Sequence, residues 1–317
     1  MFRIVFFGTP DFAVPSLVRL INDGHQLLGV VTAPDKPSGR GLQIKKTPVK
    51  ECAEKHGIPI MQPSKLGDID FIKTLNSLQA DLFVIVAFRM LPESVWNMPR
   101  LGSYNVHSSL LPKYRGAAPI NRAIMNGETE TGVSTFQLKH EIDTGRILMQ
   151  SKTNIGPDET AGELHDRLMH MGADLISKTL NSLEDGTAIM IDQDLLNPDK
   201  ESLPNAPKIF SSDCQINWRR GSNEIHNQVR GLCPYPGSFT KAIKKDGTIA
   251  VLKIHRTRPN QVETNGDPGT MVNTGNHLHV TCGEGSIEII EIQLEGKKKM
   301  LSADFLRGND ISGWRLI

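Results

Sequence analysis

The sequence predicts an open, mainly parallel α/β sheet followed by a small β-barrel. Three observations carry this. Apolar runs alternate with helix-period stretches through the first half, as in consecutive βαβ units. One run, Asp81-Leu-Phe-Val-Ile-Val-Ala-Phe88, is apolar without alternation, the pattern of a strand buried on both faces. Beyond Lys208 the texture changes to short strand-like pieces separated by Gly, Asn and Asp turns. At 317 residues the chain exceeds one ordinary core, so two domains are expected.

Phe2 to Phe7 reads as the first strand, and Gly8-Thr9-Pro10 turns it into a helix with Phe12, Val14, Leu17, Leu20 and Ile21 at helical spacing. Asn22-Asp23-Gly24 stops that helix, and Gln26 to Thr32 is the next strand, completing a right-handed βαβ unit. Ile69 to Leu78 is predicted helical, residues 81–88 form the buried strand, and Tyr104 to His107 a further short one. Ala118-Pro119 opens a helix that closes at Asn126-Gly127. Gly132 to Leu138 is strand-like and leads into a turn at Asp143-Thr144-Gly145. Thr160-Ala-Gly-Glu163 is a capping box, followed by Leu164, Leu168, Met171, Leu175, Ile176, Leu180 and Leu183 on one helical face. Asp192 to Pro207 carries prolines and no periodicity, so it reads as a linker. One short helix near Ser222 to Arg230 then precedes strands at Ser238 to Ile243, Thr248 to Ile254, Gly269 to Val272, His277 to Thr281 and Ser286 to Ile292.

A net charge of +1, with 22% charged and 38% hydrophobic residues, excludes a disordered or membrane-embedded chain. Cys52, Cys214, Cys233 and Cys282 show neither C-x-x-C spacing nor a clustered His partner, so no zinc site or disulfide framework is indicated and a cytoplasmic location is expected. The amino-terminal apolar run is too short for a signal peptide, and no segment reaches the length of a membrane span. Nothing in the sequence demands more than a monomer.

Chemistry concentrates at three places. Asn105 and His107 stand two apart on a strand, so they share a face, and both lie at its carboxyl end, the edge where open α/β sheets hold ligands. Asp143, in a turn after the next strand, can reach that edge. An imidazole handles an amine proton, a carboxylate beside it favours the charged ring, and an amide N–H holds a tetrahedral oxyanion; this set suits acyl or formyl transfer to an amine. A Ser-His-Asp hydrolase is the competing enzyme reading, but G-x-S-x-G is absent and Ser108 points away from the His107 face. A nicotinamide site is disfavoured because the Gly8-Thr9-Pro10 turn lacks G-x-G-x-x-G, although Asp35 stands where a ribose acid would.

The stretch PDKPSGRGLQIKKTPVK holds five basic residues, Lys36, Arg40, Lys45, Lys46 and Lys50, and no acidic one after Asp35. A solvated surface loop is one reading. The other is a flexible tip presenting Arg40 to a phosphate backbone or base edge. In the second half Lys241, Lys244, Lys245, Lys253, Arg256 and Arg258, with Lys297-Lys298-Lys299, give the barrel a basic face compatible with nucleic acid. A catalytically inactive RNA-binding protein would keep these surfaces and lose the Asn105, His107 and Asp143 set.

The motifs FFGTPDFAVPSL, PDKPSGRG, NVHSSLLPKYRGAAPINRAI, the Asp-Thr-Gly turn of HEIDTGRIL, and PYPGSF occur in this order over nearly the whole chain. Together they resemble the methionyl-tRNA formyltransferases. N-x-H, S-L-L-P and D-T-G alone mark the wider group of formyltransferases that use 10-formyltetrahydrofolate, amino sugar nucleotide enzymes included; the basic loop and barrel point to the tRNA branch. The resemblance implies a Rossmann-like formyltransferase domain over residues 1–190, a linker over 191–208 and an OB-like tRNA-binding barrel over 209–317. It implies Asn105, His107 and Asp143 as the catalytic set and Ser109, Leu110, Leu111 and Pro112 beside the folate. Lys36, Arg40, Lys45 and Lys46 would touch the tRNA. The co-substrate would be 10-formyltetrahydrofolate, with no metal, and the partner initiator methionyl-tRNA, with no membrane. One departure stands out: where the family usually has Ala-Tyr-Gly before its Leu-Pro, this chain has Ala87-Phe88-Arg89-Met90-Leu91-Pro92. If that glycine position needs φ > 0, Arg89 is strained there.

Overall fold

The computed structural model describes residues 1–38, 43–198, 202–260 and 266–317. The chain divides into two compact units: one comprises residues 1–116, 132–153 and 165–205, the other 117–131, 154–164 and 206–317.

In the first unit β1 (Arg3–Gly8) runs into α1 (Val14–Asn22) and returns as β2 (Gln26–Val31). An added Cβ on Gly8 would lie 2.7 Å from the Phe6 ring and 2.8 Å from Ala13 Cβ, so only glycine lets the strand turn this tightly into the helix. A short hairpin follows, β3 (Lys36–Ser38) and β4 (Gln43–Lys45), with Lys36 opposite Lys45. The stretch read as an open loop is thus partly strand, and Arg40 lies outside the described residues. Next come α2 (Pro48–Lys55), capped by the Thr47 hydroxyl, β5 (Ile60–Met61) and α3 (Ile69–Ser77), capped by Asp68. The continuous apolar run forms β6 (Leu82–Val86), buried at every position. Then follow α4 (Glu93–Trp96), β7 (Ser103–His107), α5 (Pro119–Met125), which belongs to the second unit, β8 (Glu130–Gln137), β9 (Ile147–Asn154) and α6 (Ala161–Glu184). The capping box opening α6 forms as predicted: Thr160 N–H donates to Glu163 Oε2 at 2.8 Å and Glu163 N–H to Thr160 Oγ1 at 3.3 Å.

The sheet order is β5-β2-β1-β6-β7-β8-β9. Strands β5 through β7 are parallel and β8 pairs antiparallel with β7. Strand order reverses between β1 and β6, which opens a crevice at their carboxyl ends, and β7 ends beside it. Leu164, Leu168, Leu175, Ile176 and Leu180 of α6 are buried as their spacing predicts. Gly172 brings α6 against the sheet, since a Cβ there would meet Val106 of β7 at 2.9 Å.

In the second unit α7 (Ser211–Cys214) and α8 (Ser222–Leu232) precede β10 (Ser238–Ile243), β11 (Ile249–Asn260), β12 (Met271–Thr274), β13 (His277–Thr281) and β14 (Ser286–Leu294). These match the five expected strands. Two more short strands, β15 (Met300–Leu301) and β16 (Arg315–Leu316), flank α9 (Ser302–Gly308). The antiparallel order is β12-β13-β14-β11-β10-β16. Gly269 and Thr270, just before β12, close the ring: Gly269 N–H donates to Thr281 O and Leu316 N–H to Gly269 O, both at 2.9 Å. Gly269 has φ +91°, and a Cβ there would sit 2.2 Å from Leu316 O, so closure depends on glycine. The barrel interior holds Trp218, Leu252, Ile254, Val280, Ile289 and Phe305.

The two units interleave along the chain. Side-chain hydrogen bonds explain why α5 and residues 154–164 join the second unit. Asn121 Nδ2 donates to Gly231 O, Arg122 Nη2 to Asp213 Oδ2, and Arg230 Nη1 to Gly156 O and Glu159 O. Such non-local pairs leave no local pattern. Among the described residues no helix is long and apolar enough to cross a membrane.

Candidate active site

Strand β7 delivers Asn105 and His107 to the carboxyl edge on one face. Their register partners on β8, Phe136 and Ser134, share that face. The Phe136 ring meets the His107 imidazole edge-on at 6.4 Å between centroids. His107 is buried and Asn105 half-buried, and the Asn105 amide makes no hydrogen bond among the described residues, so its donor group is available to a ligand.

The imidazole orientation is fixed by the backbone. His107 Nε2 lies 2.8 Å from Tyr114 O, and a carbonyl only accepts, so Nε2 carries the proton. In the neutral ring Nδ1 is therefore the bare nitrogen. It faces Asp143, with Oδ2 at 3.9 Å. That separation is too long for a direct hydrogen bond and short enough for strong Coulomb coupling. Oδ2 also accepts the Gly116 N–H at 3.0 Å, and the Asp143 and Gly145 carbonyls each accept from Gln193 Nε2 at 2.8 Å. The turn lies flat against β8: a Cβ on Gly145 would be 1.7 Å from Gln137 O.

The S-L-L-P stretch is shaped from beneath by Ser134. Its hydroxyl donates to Ser109 O at 2.6 Å and accepts from Leu111 N–H at 3.1 Å and Gln150 Nε2 at 2.8 Å. Ser109 is fully buried and donates its hydroxyl to Lys113 O at 2.7 Å, while Leu111 packs inward with Phe136 and Ile147. Leu110 and Pro112 keep accessible surface. Ser109 and Leu111 thus set the shape of the loop, and Leu110 and Pro112 present it.

Across the crevice Ala87 takes φ 47°, whereas Arg89 is not among the residues at positive φ. The strain at Arg89 considered from the sequence is therefore absent. The Arg89 guanidinium donates to Ser64 O at 3.0 Å and to Pro63 O, tying two loops together. Asp35 is occupied as well: Lys50 Nζ at 2.5 Å and Gln62 Nε2 at 2.8 Å bind it, and the Lys50 hydrogen bond holds its carboxyl below the usual range. It offers nothing to a ribose.

Of the basic residues, Lys36 and Lys45 are exposed and face each other across the hairpin, with no ion pair among the described residues. Lys46 is held by Glu54 at 2.7 Å. On the barrel Lys241 and Lys253 occupy the same outward face of β10 and β11, while Arg256 pairs with Glu163 and Lys299 with Glu291.

Residues 2–180 match the Formyl transferase family and residues 208–310 the Formyl transferase C-terminal domain. The methionyl-tRNA formyltransferase of Azobacteroides pseudotrichonymphae is 49% identical over 310 residues, covering 97% of this chain and 96% of its own. That of Phocaeicola vulgatus is 50% identical over 310 residues, covering 96% and 95%. This chain is a member of the methionyl-tRNA formyltransferase family. Among solved structures the fold is shared with WlaRD, a sugar 3N-formyl transferase crystallised in the presence of dTDP and 5-N-formyl-THF. The TM-score is 0.65 at 22% identity, covering 94% of this chain and 99% of that one. HypX from Aquifex aeolicus, in complex with tetrahydrofolic acid, gives 0.63 at 16%, covering 96% of this chain and 47% of its own. Along this chain the match to the Formyl transferase domain precedes the match to its C-terminal domain. Ser134, Gln150, Gln193 and the Tyr114 carbonyl escaped the sequence reading. Two polar residues inside the buried strand Gly132 to Phe136, Ser134 and Thr135, were the available signal, and it did not by itself single out Ser134.

Proposed function

We propose that this chain transfers the formyl group of 10-formyltetrahydrofolate directly to the α-amine of methionine on initiator methionyl-tRNA, with Asn105, His107 and Asp143 as the reacting machinery. The observation that carries this reading is the His107 geometry: Nε2 pinned by Tyr114 O and Nδ1 turned toward the Asp143 carboxylate at a sheet edge. Leu110 and Pro112 on one side and the Ala87 to Arg89 turn on the other fit the walls a folate ring needs.

The free amine attacks the formyl carbon, and the carbonyl electrons move to oxygen. Asn105 Nδ2–H donates to that oxyanion. His107 Nδ1 takes the proton the attacking nitrogen releases, and the imidazolium adds its charge to oxyanion stabilisation. The Asp143 carboxylate, 3.9 Å from Nδ1, faces the charge that the ring carries while it holds the proton. Nδ1 then returns the proton to the leaving folate nitrogen as its bond to the formyl carbon breaks. One proton moves from amine to folate nitrogen, so no covalent enzyme intermediate is needed. The same chemistry serves an amino sugar nucleotide, but near-full-length relatives at 49% and 50% identity favour the tRNA substrate.

For tRNA, two like charges directly opposed on a hairpin destabilise it unless an anion bridges them. Lys36 and Lys45 fit a phosphate in that role, and Arg40 belongs to the same stretch. Lys241 and Lys253 offer the barrel's outward face to the backbone. A single copy of the chain suffices for this scheme, acting in the cytoplasm as a monomer. The test is Asp143→Asn under single-turnover conditions. A drop of about 10²- to 10³-fold follows from losing the carboxylate charge; full turnover would remove the electrostatic part of this account.

A further inference from the structure

Two residues beside His107 stand in backbone conformations that side chains disfavour. Tyr114 has φ 60° and Asp143 φ 53°. Non-glycine residues persist there only where their surroundings over-determine them. Both are gripped by the stretch after α6 that reads as a linker. That stretch first joins the sheet: Ile191 and Ile147 exchange backbone hydrogen bonds of 2.9 and 2.8 Å. Gln193 then turns inward and is only 2% exposed. Its Nε2 donates to Asp143 O and Gly145 O, both at 2.8 Å, and its Oε1 accepts from Arg115 Nε at 2.9 Å and Nη2 at 2.6 Å. Further along, Pro204 O accepts the Tyr114 N–H at 2.6 Å.

The consequence lies in what those two residues do. Tyr114 O fixes Nε2 of His107, and Asp143 Oδ2 faces Nδ1. One stretch of chain therefore holds the partners on both edges of the imidazole, and both polar atoms of the Gln193 side chain are bonded, Nε2 to the Asp143 turn and Oε1 to Arg115. A spacer would leave a glutamine in solvent, and a packing residue would need no amide.

From this geometry we infer that Gln193 is a positioning residue for formyl transfer, holding the Asp143 turn and coupling it through Arg115 to the Tyr114 to Gly116 turn. The inference rests on the role given above to His107 and Asp143. Gln193 acts through Asp143 and touches neither substrate.

Gln193→Glu is the informative change, because it keeps size and the acceptor toward Arg115 while placing oxygen against two carbonyls. With methionyl-tRNA and 10-formyltetrahydrofolate, kcat is expected to fall about 10- to 100-fold, with both KM values within about three-fold. Leu195→Ser, on the same stretch and 72% exposed, is the control expected to leave both unchanged. In an Asp143→Ala background Gln193→Glu is expected to cost less than about two-fold more, since residues acting as one unit are not additive. Wild-type kcat, a change in KM alone, or the same factor with and without Asp143 overturns the inference. Gln193→Leu repeats the cycle if the charged variant folds poorly.

Amide exchange reads the clamp without activity. The Gly116 N–H, bound to Asp143 Oδ2 at 3.0 Å, is expected to exchange about ten-fold faster in Gln193→Glu while the β7 amides keep their protection. Unchanged Gly116 protection also overturns the inference. A wild-type chain that leaves the tRNA unformylated would instead sink the functional reading, and the exchange experiment would still decide the clamp.

Discussion

Gly145→Ala tests how closely the reaction depends on the fit of the Asp-Thr-Gly turn. The new Cβ would start 1.7 Å from Gln137 O, against the 3.0 Å below which such contacts are essentially never seen, so about 1.3 Å must be found. The Gln137 carbonyl cannot give way easily. Its peptide N–H, that of Leu138, donates to Ser103 O on β7 at 2.8 Å, and Gln137 N–H donates to Arg146 O at 2.9 Å. The turn must therefore move, carrying Asp143 from its place 3.9 Å from His107 Nδ1. A misplacement of about 1 Å costs on the order of 100-fold in rate, or about 2.7 kcal/mol of barrier. The same clash costs about 1 to 3 kcal/mol of stability. The assay is single-turnover formylation at saturating substrates, well below the unfolding midpoint, with urea unfolding alongside. Gly67→Ala, where a Cβ meets nothing within 4 Å, is the matched control. A Gly145→Ala enzyme within about three-fold of wild-type rate would refute the claim that this turn's position limits the reaction.

Three further outcomes follow from the same structure. Asn105→Ala should lower kcat by about 10²- to 10³-fold with little change in folate KM, read by steady-state kinetics, because it removes an oxyanion donor. Replacing both Lys36 and Lys45 by Ala should raise KM for tRNA about ten-fold and flatten the log–log salt dependence by about one to two, while kcat at saturation holds. Burial lowers the pKa of His25, His226 and His279 below the ordinary 6.5, so the unfolded chain binds more protons there than the folded one. Stability conferred by these rings is therefore intact above pH 6.5 and declines as pH falls from there toward their folded values, and His226→Gln should reduce that slope in urea titrations.

Much of this was legible in the sequence because periodicity and edge position are local signals. The buried run at Leu82 to Val86, the N-x-H pair on β7 and the α6 capping box stand where their patterns place them. What escaped is non-local. Gln193 meets Asp143 across 50 positions of chain, and Ser134 meets Ser109 across 25. Barrel closure at Gly269 joins residues far apart along the chain, and a lone glycine in a turn-rich stretch does not announce it. Arg89 shows the opposite error. The strain considered at that position is absent: the left-handed backbone falls at Ala87, φ 47°, and the arginine ties down Pro63 and Ser64.

The central claim is direct formyl transfer to methionyl-tRNA at the Asn105, His107 and Asp143 site. It is tested most directly by incubating wild-type and His107→Ala enzyme with 10-formyltetrahydrofolate and charged initiator tRNA, then following formyl-methionine and free tetrahydrofolate together. The expected result is stoichiometric appearance of both with wild type, no formylated enzyme, and a loss of about 10²- to 10⁴-fold with His107→Ala. Wild-type enzyme that leaves the tRNA unformylated while consuming the folate with an amino sugar nucleotide, or His107→Ala that transfers at the wild-type rate, would contradict it.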